Sequence, residues 1–203
     1  MKRYIYIAIL FITATLLTTG CSRHKAEPKI DANVTKEVNE TVAKIDPFDW
    51  TQNDEIIKCV PATKIVVVKS KRVLVLLDEK GNILSKHRVS LGKNPKGAKI
   101  EKGDYRTPEG TYKIIDKRED KKYYKELLID YPNEHDIEEA KKLGVNPGGG
   151  ITIHAQVPRF WDGNGDDYTL SHDWTEGCVA MTNKGMDNVW KLVKLGTVVE
   201  IRE

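Results

Sequence analysis

Short apolar runs separated by polar turns predict a β-rich body over residues 61–203. Residues 65–68 and 73–77 are aliphatic or β-branched, and the polar stretch 69–72 between them predicts a hairpin. A turn containing glycine at 78–82 leads back into the sheet. Further strands are predicted at residues 111–115, 127–131, 151–153 and 197–201.

Two connecting regions are predicted before residue 151. Residues 92–110 are rich in glycine and proline and form a long loop, the kind of segment that often holds binding residues. Residues 135–143 have helical spacing, with Asn133 as a capping residue before them and Gly144 as a stop after them. The predicted body is therefore β-rich with few helices.

A second helix is predicted near the end of the chain, with Thr182 or Asn183 as its capping residue and Gly196 as its end. Apolar residues at helical spacing predict its buried face. They are Met186, Val189, Trp190 and Val193. The polar stretch 159–171 before it is predicted to be a loop that covers a substrate.

The first 20 residues have the features of a signal peptide. Lys2 and Arg3 precede an apolar run at residues 4–17, which is too short to span a membrane comfortably as a permanent helix. Cys21 follows a small residue and resembles the lipidated cysteine of a bacterial lipoprotein. The chain is thus predicted to be exported to the periplasm or cell envelope and anchored to a membrane through Cys21. A plain secretory signal with an incidental cysteine is the alternative.

Residues 21–60 are predicted to be a tether and lead-in segment. Residues 22–33 are polar, as a spacer from a membrane would be. Apolar residues then recur on one helical face, which indicates a short amphipathic helix. They are Val34, Val38, Val42 and Ile45. Phe48 and Trp50 follow, and we expect them to pack on the catalytic body.

Length and charge limit the function classes. The 203 residues suffice for one catalytic domain and an export segment. Hydrophobic residues make up 39% and charged residues 31% of the chain, and the net charge is only +3. Because acidic and basic residues are interspersed, no strongly basic face for nucleic acid is predicted.

The candidate chemistry lies between residues 151 and 183. His154 closes a β-branched run, and Cys178 follows Gly177 shortly before a helix. A thiol becomes a nucleophile when a base takes its proton, and a histidine brought close by the fold is the usual base. Backbone amides of Gly177 and Cys178 are the predicted donors to an oxyanion.

These residues resemble a known family. Ile-His at 153–154 followed by Thr-Glu-Gly-Cys at 175–178 is similar to the catalytic motif of the YkuD-type L,D-transpeptidases. The run 173–178 resembles the subset with Asp-Trp-Thr-x-Gly-Cys, and residues 92–110 resemble the block before the catalytic half. Together the resemblance covers about residues 62–202. Ala155, Glu176 and Ala180 depart from the family's usual glycine, histidine and arginine, whereas Asn183 is kept.

The resemblance implies a mixed β-sandwich or barrel-like α+β domain with a few helices and no cofactor. It implies that Cys178 forms a thioester with a peptidoglycan stem peptide, that His154 acts as base, and that Thr175 and Asp173 support the site. The acyl group then passes to an amine, or to water as in the hydrolases of the family. A catalytically dead protein that binds the cell wall is the alternative of another class.

Several neighbouring groups have competing interpretations. Arg106 is a candidate for binding a substrate carboxylate, although an ion pair with Asp104 or Glu109 is favoured. Glu176 lies on the side of the site where the acceptor would bind. His172 is a rival base, and His87 is predicted to lie on the surface.

Metal binding and a disulfide are the remaining alternatives. No metal is predicted, because Cys178 and the two histidines lack the spacing of a zinc site. Asp162, Asn164, Asp166 and Asp167 are tempting calcium ligands, but a solvated turn is favoured. The chain has three cysteines, so Cys59 is left over, and a disulfide between Cys59 and Cys178 is the disfavoured alternative.

Overall fold

The computed structural model describes residues 60–157 and 165–203. The signal peptide, Cys21, the amphipathic stripe and Cys59 lie outside the described residues, as do Asp162 and Asn164. By its internal contacts the chain divides into two compact units, Met1–Asp31 and Ala32–Glu203. The β-rich body lies in the second unit.

One mixed sheet forms the body. Its eight described strands are β1 Ala62–Val68, β2 Val73–Leu77, β3 Ile83–Arg88, β4 Gly110–Asp120, β5 Tyr124–Ile129, β6 Thr152–His154, β7 Val179–Ala180 and β8 Val193–Arg202. Their order across the sheet is β3-β2-β1-β8-β4-β5-β6-β7. β1 pairs with β8 and β6 with β7 in parallel, and the other neighbours are antiparallel.

The sheet curls into a half-barrel. The chain after β3 crosses to the opposite edge, where Ser90 bridges to Ala180 of β7 and Gly92 bridges to Thr175. This crossing joins the two edges of the sheet next to the candidate site. The β-rich, barrel-like fold predicted from the sequence is confirmed, as is the hairpin at 69–72.

Three helices accompany the described strands: α1 Glu134–Leu143, α2 Gly165–Ser171 and α3 Asn183–Leu192. The predicted caps of α1 are confirmed, because Asn133 accepts a hydrogen bond from the Asp136 amide and Gly144 is left-handed with φ 69°. Thr182 caps α3 in the same way. Among the described residues, none of the helices has the length and apolar character needed to cross a membrane.

Two predictions about helices are wrong. α3 ends at Leu192, and Val193 already begins β8, so Gly196 lies inside a strand and does not end the helix. The stretch predicted as a polar loop contains α2, whose acidic residues Asp166 and Asp167 sit in the first turn. Negative charge there is favourable because the amino end of a helix has a positive dipole.

The main core lies inside the curled sheet. Aliphatic side chains from β1, β2, β4, β5, β6 and β8 meet α3 there, and Met186 and Val189 are fully buried. Trp190 is only partly buried and packs at the edge of this cluster. The helix therefore buries Met186 and Val189 as predicted, whereas Val193 belongs to β8.

The prediction that His87 lies on the surface is wrong. His87 is only 7% exposed, because it lies opposite Leu74 in β2 on the core side of β3. Its Nδ1 is so close to α3 that a methyl group on Gly185 would lie 3.2 Å from it. This burial lowers the pKa of His87 from 6.5 to about 4.

The buried imidazole predicts acid sensitivity. The unfolded chain binds the proton near pH 6.5 and the folded chain only near pH 4, so stability falls as the pH drops through that window. The loss from this group reaches about 3 kcal/mol. Urea unfolding between pH 4 and 7 measures it. The His87→Gln variant should lose most of this dependence, with the exposed His135→Gln variant as control, and an unchanged slope in His87→Gln would contradict the assignment.

Candidate active site

β6 and β7 place the histidine and the cysteine on one face of the sheet. Ile153 pairs with Val179 and His154 with Ala180, which sets Thr152 beside Cys178. Thr152 Oγ1 lies 3.6 Å from Cys178 Sγ, so these two side chains share a face. Because alternate residues of a strand point the same way, His154 lies on that face as well.

Both side chains line one open cavity of about 530 Å³. The glycine-rich entry to β6 forms one wall, and the loop before β4 forms another. The side chains that line it are mainly lysines and aromatic residues: Lys93, Lys99, Lys102, Tyr105, Lys122, Tyr123, Trp174 and Glu176. The sulfur and the imidazole therefore face the same open space.

His154 is held in one orientation. It is only 1% exposed, and its Nδ1 lies 2.7 Å from the Ala155 carbonyl oxygen. A carbonyl only accepts, so Nδ1 carries the proton, and Nε2 is the nitrogen that can receive one. The Tyr123 ring lies 4.2 Å from the imidazole and the Trp174 ring 5.7 Å from it, centroid to centroid. Sequence reasoning missed both aromatic neighbours.

Cys178 is a free cysteine, and its sulfur has polar neighbours from the strand beside it. The Thr152 amide lies 3.5 Å and the Thr152 hydroxyl 3.6 Å from Sγ, and the thiol points to the Gly150 carbonyl oxygen at 3.9 Å. Burial raises the pKa of the Cys178 thiol, and the two Thr152 donors offset part of that rise. The resting sulfur is therefore a thiol, and a base has to take its proton during attack.

A tight turn presents Cys178. Thr175 Oγ1 donates to the Cys178 carbonyl oxygen at 2.7 Å and accepts from the Gly177 amide at 3.1 Å. Gly177 has φ 132°, and a Cβ there would lie 2.7 Å from the Arg106 carbonyl oxygen, so only glycine fits. Thr175 thus holds the turn that carries Cys178. The Gly177 amide, however, is engaged by Thr175, which leaves the Cys178 amide as the candidate oxyanion donor.

Asp173 ties this turn to other segments of the chain. Its carboxylate accepts from the Arg72 guanidinium at 2.8 Å and from the Leu91 amide at 2.9 Å. The aspartate therefore ties the cysteine loop to the β1–β2 hairpin and to the chain that crosses between the sheet edges. These contacts of Asp173 are with the framework of the cysteine loop.

The other candidate residues occupy different places. The favoured ion pair of Arg106 is not found among the described residues, because Asp104 pairs with Lys99 and Glu109 with Lys69. Arg106 instead donates through Nη1 to the Ala98 carbonyl oxygen at 3.3 Å.

Glu176 is exposed and lines the cavity. His172 is also exposed, and its Nδ1 lies 2.8 Å from Ser171 Oγ. It is absent from the residues that line the cavity. Within residues 60–157 and 165–203, no cluster of three or more His, Cys, Asp or Glu side chains could hold a metal ion.

Lys69 is the residue that sequence reasoning missed most clearly. It lies in the β1–β2 turn, yet it is 0% exposed. Its Nζ donates to the Gly97 carbonyl oxygen at 2.6 Å, to Thr107 at 3.2 Å and to the Glu109 carboxylate at 2.7 Å. These bonds hold the loop 92–110 in place, and that loop in turn packs against Gly177. No local pattern distinguishes Lys69 from the other lysines of the chain.

The Thr152 hydroxyl offers a test of the thiol's environment. Thr152→Val removes one of the two donors to sulfur, so the pKa of Cys178 should rise further. We expect iodoacetamide to alkylate the peptide containing Cys178 more slowly at neutral pH, with the profile moved to higher pH. The exposed Thr63→Val variant is the matched control. A profile that stays in place, or moves to lower pH, would contradict the assigned contact.

Known proteins resemble this chain in sequence and in fold. The model of the YkuD family, described as the L,D-transpeptidase catalytic domain, matches residues 62–201. The YafK protein of Escherichia coli K12, whose assignment as an L,D-transpeptidase is itself provisional, is 28% identical over 134 residues. That match covers 64% of this chain and 46% of YafK, so the chain spans about half the length of the curated relatives it matches.

Two solved structures are similar as well. The helical cell shape determining protein Pgp2 from Campylobacter jejuni is 26% identical with a TM-score of 0.53, over 70% of this chain and 48% of that chain. Bd1075 from Bdellovibrio bacteriovorus is 24% identical with a TM-score of 0.52. The match covers 70% of this chain and 48% of Bd1075, and it supports the fold alone. The family match spans more than half of the chain and contains both the cysteine turn and the histidine strand. The chain therefore belongs to the YkuD family of L,D-transpeptidase catalytic domains.

Proposed function

We propose that this protein is a cysteine acyltransferase that acts on peptidoglycan stem peptides, with Cys178 as nucleophile and His154 as base. The supporting observation is that both side chains line one cavity on one face of the sheet. The Nδ1 bond of His154 to Ala155 leaves Nε2 to take the thiol proton. A thiol that is protonated at rest needs such a base before it can attack.

The reaction proceeds in two acyl transfers. Sγ of Cys178 attacks a stem-peptide carbonyl while its proton passes to His154, and the Cys178 amide donates to the oxyanion. The C–N bond breaks, the leaving amine takes the proton from His154, and a thioester remains. A second amine then attacks the thioester and gives its proton to His154; the C–S bond breaks, and the departing thiolate takes that proton from His154 to restore the thiol. Water in place of that amine gives hydrolysis.

The family and the cavity both support the substrate class. L,D-transpeptidase domains act on peptidoglycan peptides, and Pgp2 is described as a determinant of helical cell shape. Three exposed lysines line the cavity: Lys93, Lys102 and Lys122. Their positive charges are suited to a peptide with free carboxylates. We extend to this chain a role in building or remodelling the cell wall and hence in cell shape.

The products from isolated sacculi test this proposal. Purified protein is incubated with sacculi, and the muropeptides are separated and weighed by mass spectrometry. A new crosslink formed with loss of a terminal residue supports transfer, and trimmed stems that have gained water indicate the family's hydrolase activity. Sacculi that bind the protein but remain unchanged would overturn the enzyme proposal in favour of a binding protein.

We also propose export and anchoring through Cys21, on the basis of Lys2, Arg3 and the apolar run before the cysteine. Several lipid chains on one cysteine would hold the protein firmly at a membrane. The mass of the amino-terminal peptide from the membrane fraction tests this. A fatty-acylated Cys21 is expected, and release of the Cys21→Ala variant into the soluble fraction would agree. An unmodified Cys21 in the mature protein would refute the anchor.

A further inference from the structure

A buried carboxylate lies next to the candidate base. Glu126 of β5 is only 6% exposed, and it pairs directly with His154 of β6. Residues that are directly opposite in an antiparallel pair point to the same face, with Cβ atoms about 5 Å apart. Their neighbours Leu127 and Ile153 point the other way, into the main core. The Glu126 side chain therefore lies on the face of the sheet that carries His154 and Cys178.

An arginine pairs with this carboxylate. Arg118 of β4 is opposite Glu126, and its Nε lies 3.2 Å from Glu126 Oε1. Arg118 also lies 3.0 Å from the Asp116 carboxylate, and its side chain is 50% exposed. Arg118, Glu126 and His154 thus form a row across three adjacent strands. Because the guanidinium is half in water and shared between two carboxylates, it does not cancel the charge that Glu126 presents to the imidazole.

The charge of Glu126 acts on the base more strongly than on the nucleophile. Burial is the main reason that the pKa of the Cys178 thiol is raised, and the Glu126 carboxylate raises it further, whereas Lys122 lowers it. His154 is in the strand next to β5, about 5 Å away, and Cys178 precedes β7, which is two strand spacings or about 10 Å away. Since Coulomb energies weaken with distance, Glu126 favours the protonated imidazole more than it disfavours the thiolate.

Other titratable groups surround the imidazole. In the turn between β4 and β5, the Tyr123 ring lies 4.2 Å from the His154 ring, and Lys122 lies 4.7 Å from the centre of the Tyr123 ring. Asp166 of α2 is exposed. Water screens exposed carboxylates, whereas Glu126 is buried directly opposite the base. Further such groups line the cavity: Lys93, Lys99, Lys102, Tyr105, Glu176 and Cys178.

We propose that Glu126 is a positioning residue for the base: its carboxylate, held by Arg118, stabilises the imidazolium that forms when His154 takes the proton of Cys178. This role rests on the proposed acyl transfer. During attack the proton moves from Sγ to Nε2 as the S–C bond forms, and the positive charge on the ring is then opposite the carboxylate. When the C–N bond breaks, the leaving amine takes the proton and the ring is neutral again.

Proton binding by His154 tests this role without any substrate. The imidazole is followed by NMR across pH in the full chain with Cys178→Ala, so that no thiol titrates beside it, and His154→Gln identifies its signal. Glu126→Gln keeps the shape of the side chain and removes its charge, so His154 should bind its proton about tenfold less tightly. Arg118→Gln removes the opposing charge and should make that binding tighter.

Glu119→Gln is the matched control for these titrations. Glu119 is exposed in the same hairpin and pairs with Lys125, so its loss should change proton binding by less than about twofold. Unchanged binding in Glu126→Gln, or an equal change in Glu119→Gln, would overturn the proposal. So would weaker or unchanged binding in Arg118→Gln, and this sign decides the matter even where Glu126→Gln does not fold.

Turnover of soluble muropeptides gives an independent readout. In Glu126→Gln, kcat should fall about tenfold while KM changes by less than about twofold, because the carboxylate acts when the imidazolium forms. Glu126→Asp keeps the charge and should recover part of kcat. An ion pair that only ties β4 to β5 predicts full kcat in folded Glu126→Gln, which would overturn the role. Absence of turnover in the parent protein would count against the acyl transfer, and the titration of His154 would still decide the role of Glu126.

Discussion

Replacing Cys178 with alanine is expected to abolish product formation from sacculi, a loss of about 10⁴-fold or more. Without the sulfur no thioester can form, and what remains of the site can only bind and orient a peptide. The folded body should be retained, because the side chain is small and lies at the cavity. Muropeptide analysis measures the activity, and thermal unfolding checks the fold.

Histidine variants complete this test. His154→Gln should lose nearly as much activity as Cys178→Ala, because two residues that act as a unit are not additive. The double variant should therefore be little worse than either single one. His172→Gln is the matched control, since this exposed histidine lies outside the cavity lining. Full activity in His154→Gln, or none in His172→Gln, would reverse the assignment of the base.

Replacing Lys69 with methionine is expected to destabilise the fold strongly for a residue in a turn. The variant keeps the side-chain length, but it removes the donor to the Gly97 and Thr107 carbonyl oxygens and leaves the Glu109 carboxylate without its partner. We expect a loss of about 2 kcal/mol, since Glu109 is still partly solvated. This corresponds to a fall in Tm of about 6 °C.

Activity should fall together with stability in Lys69→Met. The loop that Lys69 holds brings the Arg106 carbonyl oxygen against Gly177, directly before the nucleophile. Small displacements of a nucleophile are costly, so kcat should drop by about tenfold or more, measured well below the lowered Tm. Lys80→Met, in an exposed turn, is the control and should change stability by less than about 0.5 kcal/mol. Unchanged kcat in Lys69→Met would show that the loop does not position Cys178.

Local patterns were enough for most of the secondary structure. The β1–β2 hairpin and the caps Asn133, Gly144 and Thr182 follow from the identity of a few neighbouring residues. The end of α3 was missed because Gly196 marks a local break, whereas pairing of Val193 with Ala62 of β1 decides where the last strand begins. The helix α2 was missed because its short stretch of sequence is polar and offers no apolar period.

The features of the candidate site also fall into those set by local sequence and those set by long-range contacts. The motif around Cys178 and the strand ending in His154 are local features, and the sequence alone identified both. The engagement of the Gly177 amide by Thr175 and the aromatic rings beside His154 depend on chain geometry and on long-range contacts. Spacing along the chain carries no information about such contacts.

The sequence by itself determined the family, the β-rich class and the two residues proposed for the chemistry, because each rests on a contiguous motif or a short period. Only the tertiary structure decided which polar side chains are buried. Lys69 and His87 look like ordinary surface residues in their local context, yet both are enclosed by segments distant in sequence. Burial is set by what packs on a residue from elsewhere in the fold, and that is the information a linear pattern lacks.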